Sequence, residues 1–281
     1  MIHQFGGFTV TYVLFFLEAL WHTLGIIVVC GLCVTLCRRT FIAMMGGGFG
    51  RGVVLTTAML GTPVHELGHA GMCLLFGHRI TAMALWQPSA PGGQLGYVTH
   101  VYRPKNLYHI LGNLFIGIGP IFSGLAVLTL TLRLGFPNTF HQYMTASSAM
   151  ASAEENFATL FVEGLKMLPR MVEELIYGTD VPLWGRIIAL VVILAVSQHI
   201  SLSPEDIKNS LKAFPLYLAI LLVLTAVCGL IGTMAMDTVM GGLSVFSAYL
   251  TALFVIVLVS ALIQLLVALP VWCLRMLFGR G

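Results

Sequence analysis

Residues 61–77 read GTPVHELGHAGMCLLFG and lie inside an almost unbroken apolar run. Two histidines and a glutamate within five residues are expensive to bury in lipid, so such a cluster demands a reason. The chain around it sets the solvent. Its 281 residues are 58% hydrophobic and only 9% charged, with a mean hydropathy of +0.95, far from the roughly 25% charge of soluble domains. Such a composition excludes a soluble globular enzyme and fits an integral membrane protein.

A bilayer core of ~30 Å takes ~20 apolar residues per helix, and the chain offers about six stretches of that kind, at 9–37, 52–77, 107–135, 183–200, 213–235 and 243–274. The expected fold is therefore all-α and polytopic, a single multi-pass membrane domain over 1–281, placed by expectation in a bacterial cytoplasmic membrane. The start MIHQFGGFTV lacks the basic segment of a removable signal peptide, so the first stretch is expected to stay as an anchor. Loops on the two sides carry equal numbers of Lys and Arg, which leaves orientation open. The net charge of +3 is scattered, which supports neither a nucleic-acid partner nor a polybasic lipid cluster. Composition names the bilayer as partner and sets no oligomeric state. Cys30, Cys33 and Cys37 share one face of the first stretch, where small polarizable side chains suit helix packing; no disulfide framework is implied.

Between the second and third stretches, ITAMALW and QLGYVTHVY flank the turn-rich QPSAPGG, which predicts a β-hairpin. A hairpin edge cannot face lipid, so it must lie at the surface or beside protein and water. Segment 136–182 mixes apolar residues with Glu154, Glu155, Glu163, Lys166, Arg170, Glu173 and Glu174. This pattern predicts amphipathic helices at the membrane surface, broken near Pro169.

HELGH matches H-E-x-x-H, which places His65 and His69 one turn apart on the same helix face. Two imidazoles so placed can grip one zinc ion, with Glu66 beside the open coordination position. Zinc-bound water is acidic enough to serve as hydroxide near neutral pH, and Glu66 would carry its proton to the leaving amine. Residue frequencies alone give about 0.01 occurrences of this motif in such a chain. Thr62 and Pro63 precede it, and Pro63 predicts a kink or restart of the helix.

The order HELGHAGMCLLFGHRI, then GQLGYV, then GIGPIFSG around Gly119 and Pro120, resembles the site-2 protease family of intramembrane zinc metalloproteases. The resemblance covers 52–130, a metalloprotease-like core. It implies cleavage of a membrane protein or peptide within or beside the bilayer, and a third zinc ligand, an aspartate in a Leu-Asp-Gly motif on a later span. This chain has no Leu-Asp-Gly.

VSQHISLSPEDIKNS follows the fourth stretch and offers two replacements, His199 and Asp206. His199 ends an apolar helix and is preferred as a third imidazole. Asp206 matches the family aspartate by order and chemistry, but Ser203-Pro204-Glu205-Asp206 also reads as a helix start. Asp237, Glu154 and Glu155 come next. Glu18 and His22, four residues apart, read first as a mutually satisfied pair facing other helices, with orientation of a ligating histidine as the alternative. The residues thus point to a membrane-embedded zinc metalloprotease, and the alternative is a non-proteolytic membrane subunit, of a transporter or chaperone, that keeps a zinc site. A metal-ion carrier would want acidic or histidine pairs on several spans.

Overall fold

The computed structural model describes residues 2–88, 94–152 and 157–278. Helix α1 (Ile2–Leu20), a π-helical turn (Trp21–Gly25) and α2 (Ile26–Met45) form one unbroken helical run. Gly46, at φ 62°, ends it and turns the chain into α3 (Gly47–Leu75). Helix α3 carries HELGH and continues through Pro63, so of the expected kink or restart the restart does not occur. Just past the proline, the Ser123 hydroxyl of a later helix donates to the carbonyl of Val64 at 2.8 Å.

The C-terminus of α3 follows from its glycine. Gly77 takes φ 69°, His78 N–H bonds the Cys73 carbonyl at 2.8 Å and Gly77 N–H bonds that of Leu74 at 3.2 Å. This is a Schellman closure, and it redirects the chain into β1 (Arg79–Ala84). Strand β2 (Tyr97–Val101) returns antiparallel, with Arg79 opposite Val101, Ala84 opposite Tyr97, and an irregularity between Ile80 and Ala82. The hairpin is the one expected; residues 89–93 of its turn lie outside the described residues.

Asn106 caps α4 (Leu107–Gly135) by accepting the N–H groups of Tyr108 and His109. This helix is the axis of the molecule: Leu114, Ile118, Ile121, Leu125, Leu128 and Leu132 are all buried in the main core. Helices α3 and α4 touch backbone to backbone. A methyl group at Gly68 would lie 2.6 Å from the Gly119 carbonyl oxygen, and one at Gly119 would lie 2.6 Å from that of Gly68. Small residues at a crossing permit this approach inside a membrane-type bundle.

Helices α5 (Pro137–Ser152) and α6 (Phe157–Tyr177) form the expected segment, and α6 runs through Pro169 unbroken. Its buried Glu174 carboxylate caps α5 by accepting the N–H groups of Asn138 and Thr139 at 3.2 and 2.9 Å. Helix α7 (Leu183–Ser197) stops short, residues 198–203 are non-helical, and α8 (Pro204–Ile231) restarts the chain. Gly232, at φ 126°, then turns it into α9 (Thr233–Phe278).

Four helical tracts among the described residues are long and apolar enough to cross a membrane: Thr11–Met45, Leu107–Gly135, Pro204–Ile231 and Thr233–Leu277. Six stretches were expected. The difference lies in α3, whose Arg51, threonines and HELGH dilute its apolar character, and in α7, whose 15 residues rise only about 22 Å. The cysteines are all free, with Cys30 buried against the core and Cys33 exposed.

Candidate metal centre

His65 and His69 project from one face of α3, and their Nε2 atoms lie 3.2 Å apart. The third member is Asp206, whose Oδ1 is 3.1 Å from His69 Nε2 and whose Oδ2 is 3.7 Å from His65 Nε2. Their side chains are 15%, 11% and 12% exposed. One ligand atom from each lies within 4.8 Å of the others, a group able to hold a metal ion.

Hydrogen bonds fix which nitrogen faces the centre. His65 Nδ1 is 2.8 Å from the His199 carbonyl oxygen and His69 Nδ1 is 2.7 Å from that of Ile116. A carbonyl only accepts, so both Nδ1 atoms carry a hydrogen, and each ring in its neutral form turns an Nε2 lone pair inward. Two such lone pairs and a carboxylate converging in a buried space favour a cation, a metal ion or a proton, between them. This is the arrangement by which outer partners orient metal-binding histidines.

Asp206 reaches the centre from the first turn of α8, where it also completes a capping box: Ser203 N–H donates to its Oδ2 at 2.8 Å, and its own N–H donates to Ser203 Oγ at 3.2 Å. The sequence offers capping and metal binding as alternatives; the geometry lets one side chain do both, because Oδ2 accepts the Ser203 N–H while Oδ1 is left to face His69 Nε2. Close contact brings α8 to this position. Gly117 of α4 packs on it so tightly that a methyl group there would lie 2.5 Å from the Asp206 carbonyl oxygen.

His199, preferred as the third ligand, is not part of the cluster. Its Nε2 bonds Thr57 Oγ1 at 3.1 Å and its ring fills the space beside Gly61, so the backbone carbonyl and not the imidazole serves the centre. Nor do Glu18 and His22 orient the ligands: Glu18 is exposed, and His22 Nδ1 pairs with Ser247 Oγ at 2.6 Å. Asp237 is exposed on α9, and Glu154 and Glu155 lie outside the described residues.

Glu66 is 6% exposed and stands next to the ligand pair. The hairpin closes over it: a methyl group on Gly96 would lie 2.8 Å from Glu66 Cγ, 2.7 Å from Thr62 Cγ2 and 3.0 Å from the Ala84 carbonyl oxygen. A lone glycine inside QLGYVTHVY was the sequence signal for such a close approach. A histidine cluster anchors the hairpin base. His78 Nε2–H donates to the His109 carbonyl at 2.8 Å, which leaves Nδ1 to accept from His100 Nδ1–H at 2.9 Å. Burial, followed by the nearby His78 ring, pushes His100 down to about 4, and burial also lowers His78.

Comparison of the chain with protein-family models, with curated proteins and with solved structures returned no match.

Proposed function

We propose that this chain is a membrane-embedded zinc metalloprotease that hydrolyses a peptide bond of a membrane protein or peptide within or beside the bilayer. One observation carries the proposal: two oriented imidazoles and a carboxylate converge beside a buried glutamate in an apolar helical bundle. The donor set fits zinc. Ligands 2.0–2.1 Å from a tetrahedral zinc lie about 3.3 Å apart, and the donor separations here are 3.1, 3.2 and 3.7 Å. Two histidines and one carboxylate leave a fourth position open, as catalytic zinc sites do. Asp206 stands in for the aspartate that the resemblance to site-2 proteases calls for, without its Leu-Asp-Gly surroundings.

Zinc, when bound, supplies a water acidic enough to attack near neutral pH and polarises the scissile carbonyl. Glu66, beside the ligand pair, would be the base for that water and would carry its proton to the leaving amine nitrogen. The Nδ1 bonds of His65 and His69 keep both rings in the tautomer that binds metal. The hairpin contributes an edge on which an extended peptide can pair, next to the base that Gly96 touches.

The test combines metal content with cleavage. Purified protein should hold about one zinc per chain, and Glu66→Gln should keep it while losing cleavage of a panel of single-span fusion proteins. Loss of zinc in Glu66→Gln would make Glu66 a ligand. Cleavage at the wild-type rate would leave the metal to a non-proteolytic membrane subunit.

A further inference from the structure

We propose that Pro120 is a positioning residue for the metal centre: by having no N–H, it releases the Ile116 carbonyl that fixes His69. In an α-helix the carbonyl of residue i accepts the N–H of residue i+4. Ile116 and Pro120 stand in that relation inside α4, which runs unbroken through the proline. The helix therefore has no donor for the Ile116 carbonyl from residue 120. His69 Nδ1 lies 2.7 Å from that oxygen.

The match is spatial as well as chemical. Pro120 follows Gly119, where α3 and α4 meet through Gly68, one residue before His69. The crossing thus brings the released carbonyl under the imidazole. An unsatisfied buried carbonyl and an unsatisfied buried N–H would each be unfavourable alone, and here each satisfies the other.

The other ligand uses the same device. The His199 carbonyl would meet the N–H of Ser203 if the helix continued. That N–H is taken by Asp206 Oδ2 at 2.8 Å, and the carbonyl accepts from His65 Nδ1 instead. Both imidazoles are held by carbonyls withdrawn from helical bonding, one by a proline and one by a capping box. A bond to an already committed carbonyl would be weaker and less directional, so Pro120 sets how firmly His69 holds the metal-binding tautomer.

This inference rests on the zinc reading of the centre, and the experiment separates the two. Pro120→Ala restores an N–H that competes with His69 for the Ile116 carbonyl while preserving a buried apolar side chain. Zinc affinity, measured by chelator competition, should fall about ten- to a hundredfold, and the visible spectrum of the cobalt-loaded protein should change. Pro270→Ala, in α9, is the control and should alter neither. A Pro120→Ala variant with wild-type affinity and spectrum, in a protein where His65→Ala and His69→Ala lose zinc, overturns the role of Pro120 and leaves the zinc centre standing. Unchanged zinc binding in both histidine variants overturns the centre itself. Should Pro120→Ala not fold, nitrogen NMR of histidine-labelled, metal-free wild-type protein decides: His69 protonated at Nδ1 supports the inference, and protonation at Nε2 alone overturns it.

Discussion

Asp206→Asn separates the two duties of one side chain. In the native geometry Oδ2 accepts the Ser203 N–H at 2.8 Å while Oδ1 faces His69 Nε2 at 3.1 Å. An asparagine has one oxygen and one NH2 group. If the oxygen stays on Ser203, the NH2 points at the inward lone pairs of His65 and His69, donates to them and occupies the metal position. If the amide flips, NH2 meets the Ser203 N–H, donor against donor, and the cap is lost. The first arrangement is preferred, because it satisfies every group in the metal-free protein. Zinc affinity should then fall by more than about 100-fold, the upper end for an outer partner, which is about 2.8 kcal/mol at 1.4 kcal/mol per tenfold. Stability of the metal-free protein should change by under about 1 kcal/mol, the range of a first-turn charge at a helix N-terminus. Chelator competition and thermal unfolding of the stripped protein measure the two. Zinc retained at wild-type affinity in Asp206→Asn, and lost in His199→Ala, would return the third position to the His199 ring.

Gly96→Ala puts a methyl group 2.8 Å from Glu66 Cγ and 3.0 Å from the Ala84 carbonyl oxygen; overpacking of this kind strains a site by about 1–3 kcal/mol. The cleavage rate should drop at least tenfold with zinc content intact, and an unchanged rate would show that the hairpin yields without disturbing Glu66. His100 binds its proton less readily folded, near 4, than unfolded, near 6.5. Its contribution to hairpin stability is therefore full above pH 6.5 and is lost as pH falls toward 4. Amide exchange of Tyr97–Val101, corrected for intrinsic rates, should show weaker protection at pH 5 than at pH 7.5, and equal protection would remove the histidine anchor.

Much of the site was legible wherever chemistry and spacing coincide on one element. His65 and His69 are four apart on one helix, so their convergence is a property of α-helical geometry, and the hairpin followed from two β-prone runs around a turn. The third member of the cluster was not legible in the same way. His199 and Asp206 sit seven residues apart in one segment, and what decides between them is where α8 restarts against α4, a tertiary contact at Gly117. The prolines misled in another manner. Pro169 reads as a break and Pro63 as a kink or restart by local rules, yet both helices continue through them. What carries a helix through a proline is its packing against other helices, which no local window contains. The span count differed for a compositional reason, since α3 is long but polar and α7 is apolar but short.

The crossing at Gly68 and Gly119 also governs motion. Two helices separated by side chains can slide or splay as rotamers change, but where carbonyl meets α-carbon no rotamer is left to change. Helices α3 and α4 must therefore move as one rigid block, carrying His65, Glu66, His69 and the Ile116 carbonyl together. On the proteolytic reading, an aperture for an extended chain would form along the rim of that block, where Gly96 of the hairpin segment meets Thr62 and Glu66 and histidines tie the hairpin base. The hairpin is in this sense the door, and α3 with α4 is the frame.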